Sequence, residues 1–182
     1  ITFKAAVAGT TTLPADEVSA TINGVSVTTR TPITLGYRQI STVAAVSKSG
    51  ATLTYRSLAP ACALNGLQIT PLSGTGECAI AVTSAGNSTA SPITVILPIR
   101  LTLGVQSLGG FALPETAKAF SKSALPSVSN FGEKVKYKAT GACSVVRSVL
   151  TVRRGKCEIN ATAVGKKALY EGLNQKLVIT GK

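Results

Sequence analysis

The chain has 182 residues, of which 4% are aromatic, it contains no Trp, Met or His, and its formal net charge is +12. The lack of His excludes Ser-His-Asp and Cys-His catalytic arrangements. The four cysteines also lack the close CxxC spacing and the His partners that are typical of structural zinc sites. No run of about 18 apolar residues is present, so no helix is predicted to cross a membrane. Without Met, the chain is expected to be a processed form or part of a longer protein.

Residues 1–30 predict an N-terminal β-hairpin. Two alternating runs, 18–22 and 25–29, flank the dipeptide Asn23-Gly24. Asn-Gly favours a two-residue turn with positive φ at both central positions, and alternation is typical of strands. The hairpin either adds a strand pair to the following domain or ends a preceding module.

An internal repeat organises the rest of the chain. In each copy an aromatic residue in an alternating run is followed by a cysteine, and then by Gly-x-Cys leading another alternating run. The period of 82 residues is that of a domain and is far longer than a solenoid repeat. The repeat predicts two domains, 31–98 and 99–182. The matched residues are Tyr55, Cys62, Gly76 and Cys78 in the first copy and Tyr137, Cys143, Gly155 and Cys157 in the second.

Both copies contain short alternating runs separated by turn residues at a spacing of roughly ten residues, which predicts antiparallel sandwiches with Greek-key connections. In the first copy the runs are 33–36, 51–57, 63–69 with a turn at Asn65-Gly66, the strand starting at Cys78, and 93–99. In the second copy they are 133–138, 143–146, 149–152, 157–161 and 175–180, with a turn at Arg153-Arg154-Gly155. The predicted fold class is therefore all-β.

Positive charge is concentrated in the second copy. Residues 100–182 carry fourteen Lys and Arg against four acids, whereas residues 1–99 carry five against three. Such a surface is either a solvated face or a contact site for a polyanion such as an acidic polysaccharide. Among the possible polyanions, nucleic acid is the weakest candidate because neither a stacking platform nor a nucleic-acid motif accompanies the charge. The candidate polyanion-binding residues are Lys134, Lys136, Lys138, Arg147, Arg153, Arg154 and Lys156.

The repeat resembles bacterial immunoglobulin-like repeats, which occur in tandem on secreted and surface-anchored proteins. The resemblance covers residues 31–182 and leaves residues 1–30 outside it. The second copy departs from the pattern at Ala139, at Asn160 and at 164–166. The first copy carries the pattern as Tyr55-Arg56-Ser57, Cys62, Gly76-Glu77-Cys78-Ala79-Ile80-Ala81 and Ala85-Gly86-Asn87.

This resemblance implies two tandem immunoglobulin-like β-sandwich domains, each with one local disulfide, Cys62–Cys78 and Cys143–Cys157. Four cysteines in two local pairs also favour disulfides in an oxidising compartment over buried thiols. Closing a loop of about fifteen residues stabilises a domain by about 3 kcal/mol in the entropic model.

The predicted function is that of a non-enzymatic structural or adhesive module at the cell surface or outside the cell, without a cofactor or a metal. The acids are too scattered for a glycosidase pair or a calcium loop. Its partners would be other protein subunits or cell-surface components. One alternative is a self-assembling filament or layer, a homo-oligomer in which terminal strands near residues 1–3 and 177–179 pair with the next subunit. Another is a module whose basic second domain binds an anionic polymer.

Overall fold

The computed structural model describes residues 12–28 and 30–182, which form strands and no helix. The described chain divides into two units, each with its own hydrophobic core. The first comprises the described residues up to Leu35, together with Gln39–Leu72 and Gly76–Leu101. The second comprises Gly36–Arg38, Ser73–Thr75 and Thr102–Lys182. The domain boundaries predicted from the repeat stay a prediction. Over the described residues, no helix is long and apolar enough to span a bilayer.

Strands β1–β9 form the two sheets of the first unit. One sheet has the order β2-β1-β4-β7-β6 and the other the order β3-β9-β8-β5. The strands are β1 Val18–Ile22, β2 Val25–Ser26, β3 Ile33–Gly36, β4 Ser41–Ser47, β5 Leu53–Ser57, β6 Cys62–Asn65, β7 Gln68–Pro71, β8 Glu77–Ser84 and β9 Ile93–Thr102.

The core of the first unit lies between these two sheets. Val43 and Ile69 from the first sheet and Ile80 and Leu97 from the second are each 0% exposed, and they belong to one cluster. Because alternate residues of a strand point to the same side, each sheet contributes one apolar face. The described part of the chain is therefore all-β and sandwich-like, as predicted.

The predicted N-terminal hairpin is present. β1 pairs with β2 across a turn in which φ is 51° at Asn23 and 78° at Gly24. The Asn23 Oδ1 accepts a hydrogen bond from the backbone N–H of Thr42 at 2.8 Å. β1 also runs antiparallel to β4. This hairpin is thereby part of the first unit's sheet.

Strands β10–β14 form the sheet of the second unit. Its order is β10-β14-β13-β11. β14 and β11 pair with different parts of one edge of β13, and β12 pairs with the opposite edge. Residues 177–179, one of the predicted assembly segments, lie in the last strand, and residues 1–3 lie outside the described residues. The strands are β10 Thr116–Ala117, β11 Lys122–Ala124, β12 Lys136–Val146, β13 Val149–Ala163 and β14 Leu173–Gly181.

The turn predicted at Arg153-Arg154-Gly155 was wrong, because these residues lie inside β13. The predicted strands 149–152 and 157–161 are one strand, and β12 likewise joins 136–138 to 143–146. The backbone stays continuous because glycines absorb the irregularity: φ is 84° at Gly141 and 113° at Gly155, where the β12–β13 register shifts. The bulge explains why buried Val152 and Cys157, an odd number of residues apart, both face the core.

Both disulfides are present, with the pairings that the resemblance implies. Cys62 in β6 is joined to Cys78 in β8, so this bond links the two sheets of the first unit. Cys143 in β12 is joined to Cys157 in the neighbouring β13. The Cα–Cα distances are 6.0 Å and 5.5 Å respectively. Two disulfides point to an oxidising, extracellular type of environment.

Three of the aromatic residues that the structure describes form one cluster in the second unit. The rings of Phe131 and Tyr170 stack with their centroids 4.6 Å apart, and Tyr37 lies 5.6 Å from Phe131. The Tyr170 hydroxyl donates a hydrogen bond to Glu133 Oε1 at 2.6 Å. Gly104 is needed beside the cluster, since a Cβ there would lie 2.6 Å from the Phe131 ring.

A buried carboxylate ties the two sheets of the first unit together. Asp16 is 4% exposed, and its Oδ2 accepts hydrogen bonds from the hydroxyls of Ser47 in β4, at 2.6 Å, and Ser84 in β8, at 2.5 Å. Its Oδ1 accepts the backbone N–H groups of Glu17 and Ser49. These hydrogen bonds hold the pKa of the Asp16 carboxyl well below its usual range. The hydrogen bond from Ser47 has the largest effect, followed by the one from Ser84.

We expect Asp16→Asn to destabilise the first unit, because the amide cannot accept all four hydrogen bonds. Since the folded-state pKa is lowered, the carboxylate stabilises the fold fully above its unfolded-state pKa of about 4, and this contribution is lost as the pH falls. Urea midpoints measured by circular dichroism should therefore fall more steeply below about pH 4 in the parent chain than in Asp16→Asn. Glu17→Gln, at the exposed neighbour, is the control. Parallel pH profiles of the parent and Asp16→Asn would contradict this role.

Replacing Cys62 and Cys78 together by Ala should lower the free energy of unfolding by about 3 kcal/mol, because the unfolded loop is no longer closed. Hydrogen exchange read by mass spectrometry should show the loss of protection in the first unit, whose sheets this bond links. The matched control is the double replacement of Cys143 and Cys157, which should act on the second unit. Equal loss of protection in both units from either pair would argue against two separate cores.

Candidate functional site

The outer side of β12, β13 and β14 carries a cluster of lysines, which we call the basic face. It faces away from the core because the alternate residues of the same strands, among them Ile159 and Ile179, are buried. Rows of cross-strand neighbours run across it. From β12 through β13 to β14, the rows are Lys136–Thr162–Asn174, Lys138–Asn160–Lys176 and Thr140–Glu158–Val178.

The inward side of β12 anchors the basic face. Tyr137, between Lys136 and Lys138, packs against the core, and its hydroxyl donates a hydrogen bond to the backbone oxygen of Pro126 at 2.6 Å. Burial raises the pKa of the Tyr137 hydroxyl. A side chain fixed inward at this position obliges both flanking lysines to point outward.

One carboxylate interrupts the positive charge. Glu158 Oε2 lies 2.8 Å from Lys176 Nζ, and its Oε1 lies 2.9 Å from Lys156 Nζ. These two lysines, of which Lys176 has the larger effect, lower the pKa of the Glu158 carboxyl to about 2. The carboxylate therefore stays ionised at neutral pH and occupies part of the hydrogen-bonding capacity of both ammonium groups.

Two other lysines are not neutralised in this way. Lys136 and Lys138 form no ion pair with any described residue. With Lys156 and Lys176 they make four positive charges against the one negative charge of Glu158. Close to them lies a depression of about 430 Å³, lined by Lys138, Thr140, Glu158, Ile159, Asn160, Asn174 and Lys176. Ammonium, amide and hydroxyl groups in this arrangement can bind carboxylate or phosphate oxygens.

The seven residues predicted to bind a polyanion are all exposed, but the structure does not bring them all together. Lys136, Lys138 and Lys156 share the basic face, and Lys134 precedes it in the same alternation. Arg147 lies in the turn between β12 and β13, at the far end of the hairpin. Arg153 and Arg154 lie at the irregular middle of β13.

Sequence reasoning missed Lys176, Asn160 and Asn174. Lys176 follows Lys156 by twenty positions, so closeness along the chain does not join it to the other lysines. The signal was present in the alternation of β14, where Leu177 and Ile179 face the core and their neighbours must face outward. Placing Lys176 beside Asn160 needs the strand register as well, which the alternation alone does not supply.

The lysines of β12 also have a simpler structural role. Among the described strands, β12 pairs only with β13, so its other side is a sheet edge. Lysines on an edge strand discourage pairing with other chains. This role and anion binding are compatible, because both require the ammonium groups to be exposed.

The described part of the first unit does not repeat the basic face. Tyr55 is paired with Val82, four positions after Cys78, and Tyr137 is paired with Ala161, four positions after Cys157. By this register the row equivalent to Lys138–Asn160–Lys176 is Arg56–Ala81–Ile96. It holds one cation and an exposed isoleucine. Over residues 12–28 and 30–182, the lysine cluster is thus particular to the second unit and is not a requirement of the strands.

Comparison with known proteins adds no family to these observations: no protein-family model matches the sequence, and no curated protein matches it significantly. Among the described residues, no group of three or more His, Cys, Asp or Glu side chains is placed to hold a metal ion.

We expect Glu158→Gln to strengthen binding of an acidic polysaccharide by roughly two- to fivefold, because Lys156 and Lys176 lose their competing partner. Isothermal titration calorimetry with polygalacturonate at low salt would measure this change. Glu171→Gln, which removes the same charge from an exposed position outside the basic face, is the control. An equal gain in both variants would mean that net charge alone is responsible.

Proposed function

We propose that this chain is a non-enzymatic structural and adhesive module of a protein outside the cell or on its surface, built from two tandem immunoglobulin-like units. The observation that supports this best is a hairpin with the same pairing in both units. Cys78 is paired with Ile99 and Ile80 with Leu97 in the first unit. In the second, Cys157 is paired with Ile179 and Ile159 with Leu177.

The strand order supports the immunoglobulin-like part of the proposal. Leaving out the small β2, the first unit has β1-β4-β7-β6 in one sheet and β3-β9-β8-β5 in the other. An immunoglobulin-type sandwich places its first, second, fifth and fourth strands in one sheet and the third, sixth and seventh in the other. The first unit fits this order if β3 is an additional piece of the first strand that crosses to the other sheet.

A module of this kind acts through shape and surface. Each unit has its own core and one disulfide near the middle of its hairpin. Such units remain folded outside the cell, where the thiols stay oxidised. They can then serve as a stalk or spacer that displays binding faces.

The test is to locate the chain and its thiols in the cells that produce it. Thiols are blocked with N-ethylmaleimide before lysis, and peptides are mapped without reduction. Intact cells are treated with a protease in parallel. We expect both disulfides in the mapped peptides and loss of the chain from intact cells after proteolysis. Reduced cysteines, together with complete protection from the protease in intact cells, would contradict the proposal.

The basic face supports a second function for the same module, the binding of an anionic surface polymer such as an acidic polysaccharide. The supporting observation is the row Lys138–Asn160–Lys176 beside Lys136, which forms no ion pair with any residue that the structure describes. Charged groups on an exposed face attract a polyanion from a distance, and salt screens this attraction.

Lys138→Glu should weaken binding of polygalacturonate by about fivefold at low salt, with a smaller effect at high salt. The matched control is Arg56→Glu, which makes the same change of charge at the equivalent position of the first unit. We expect the control to bind like the parent chain. If both variants weaken binding equally, the net charge of the chain binds the polymer and the basic face does not.

A further inference from the structure

The turn end of the β12–β13 hairpin carries an exposed apolar row. β11, β13 and β12 lie side by side there, and the register places Ala124, Val149 and Val146 across them. Val146 is 66% exposed and Val149 is 38% exposed. They face away from the core because Leu150, which follows Val149 in β13 and is paired with Val145, is fully buried. We call this row, together with the neighbouring cations Lys122, Arg147 and Arg153, the tip face.

The first unit shows that the fold does not need apolar side chains at these positions. Its hairpin closes with the pair Asn65–Gln68, as the second unit's closes with Val146–Val149. Thr42 of β4 is the neighbour of Gln68, as Ala124 of β11 is the neighbour of Val149. The first unit therefore has an exposed polar row, Thr42–Gln68–Asn65, where the second has an apolar one. The difference calls for a reason outside folding.

Cations and one aromatic ring surround the apolar row. Arg147 lies in the turn itself, and Lys122 is paired with Thr151 in the next outward row. Arg153 follows in the outward alternation of β13. Beside it lies Phe120, whose N–H donates to the backbone oxygen of Val152 at 2.7 Å. None of the residues of these rows is acidic.

Phe120 is unusual in two respects. Its side chain is 75% exposed, and its φ is 64°, a region that bulky residues seldom adopt. Such a backbone conformation persists only where the surrounding structure holds it. Its hydrogen bond to Val152 holds it here, and the result is an aromatic ring presented to the surroundings next to Arg153.

We propose that the tip face contacts the surface of an anionic lipid bilayer. The apolar row and Phe120 would enter the boundary between headgroups and acyl chains, while Lys122, Arg147 and Arg153 would bind the headgroup phosphates. Peripheral membrane contact depends on this combination of apolar insertion and attraction to anionic lipid. Partly aliphatic lysine and arginine stems suit the same boundary.

Other occupants fit less well. A second copy would bring like charges together, since the cations of the tip face have no acidic neighbours in its rows. A hydrated acidic polymer would bind the cations but leave the valines in water. The rows cover roughly 200 Å², judged from strand spacings of about 4.8 Å and outward spacings of about 6.7 Å, whereas a stable protein interface needs about 800 Å² on each partner.

The chain contains no Trp, so a single introduced Trp reports on the tip face alone. Val149→Trp places it in the apolar row, and Gln68→Trp places it at the equivalent position of the first unit. Vesicles of phosphatidylcholine with phosphatidylglycerol are compared with phosphatidylcholine alone and with soluble polyphosphate. We expect a blue shift of emission for Val149→Trp with the anionic vesicles only, and no shift for Gln68→Trp under any condition.

The valines are tested by giving the second unit the residues of the first. The double variant Val146→Asn with Val149→Gln should have the circular dichroism spectrum and thermal midpoint of the parent chain. In a flotation assay, the partition of this variant into anionic vesicles should be lower than that of the parent by about tenfold or more. Arg147→Ala should lower it by about fivefold.

Three outcomes of the vesicle experiments would overturn the proposal. They are no blue shift with anionic vesicles, a shift that soluble polyphosphate reproduces, and unchanged partition after both valines are replaced. Self-association of the parent chain that the valine replacements abolish would assign the tip face to contacts between copies instead. These outcomes leave the surface-module proposal untouched, because that proposal depends on location and thiol state.

Discussion

Each unit depends on a disulfide placed where the backbone ladder of its main hairpin is interrupted. In the first unit the ladder stops at Ser57–Ile80 and resumes at Cys62–Pro71, and Cys62–Cys78 closes the gap. In the second the register shifts between Gly141 and Cys143, where the other disulfide lies. With few aromatic residues to bury, the covalent bond holds the arms where hydrogen bonds do not.

The residues around the interrupted ladder determine whether the hairpin arms continue into two different sheets or stay in one bent sheet. In the first unit Pro60 and the five residues from 72 to 76 lie between the paired segments, and the hairpin arms pass into different sheets. In the second unit no proline intervenes, and Gly155 keeps β13 continuous. A Cβ at Gly141 would clash with the backbone oxygen of Lys156, so the close approach of the strands there requires glycine.

Sequence alternation predicted the strands, and Asn23-Gly24 predicted its hairpin, because both are local properties of the backbone. The continuity of β13 was missed since Arg-Arg-Gly also favours a turn, and only packing decides between a turn and a bulge. The burial of Asp16 had no local signal, as its partners Ser47 and Ser84 are distant in sequence. For the basic face, Lys136 and Lys138 were predicted from charge, whereas Lys176 depended on strand register.

Because inward positions are matched between the units, their outward positions are free to differ. The same register that pairs Cys with Ile in both cores places Arg56 and Lys138 at equivalent outer sites, and Gln68 and Val149 at others. Changes at these sites cost little folding free energy, since the side chains remain exposed. The second unit carries both lysines and valines at such positions. Specific contacts of this chain are therefore to be sought there, at opposite ends of one hairpin whose core side is fixed.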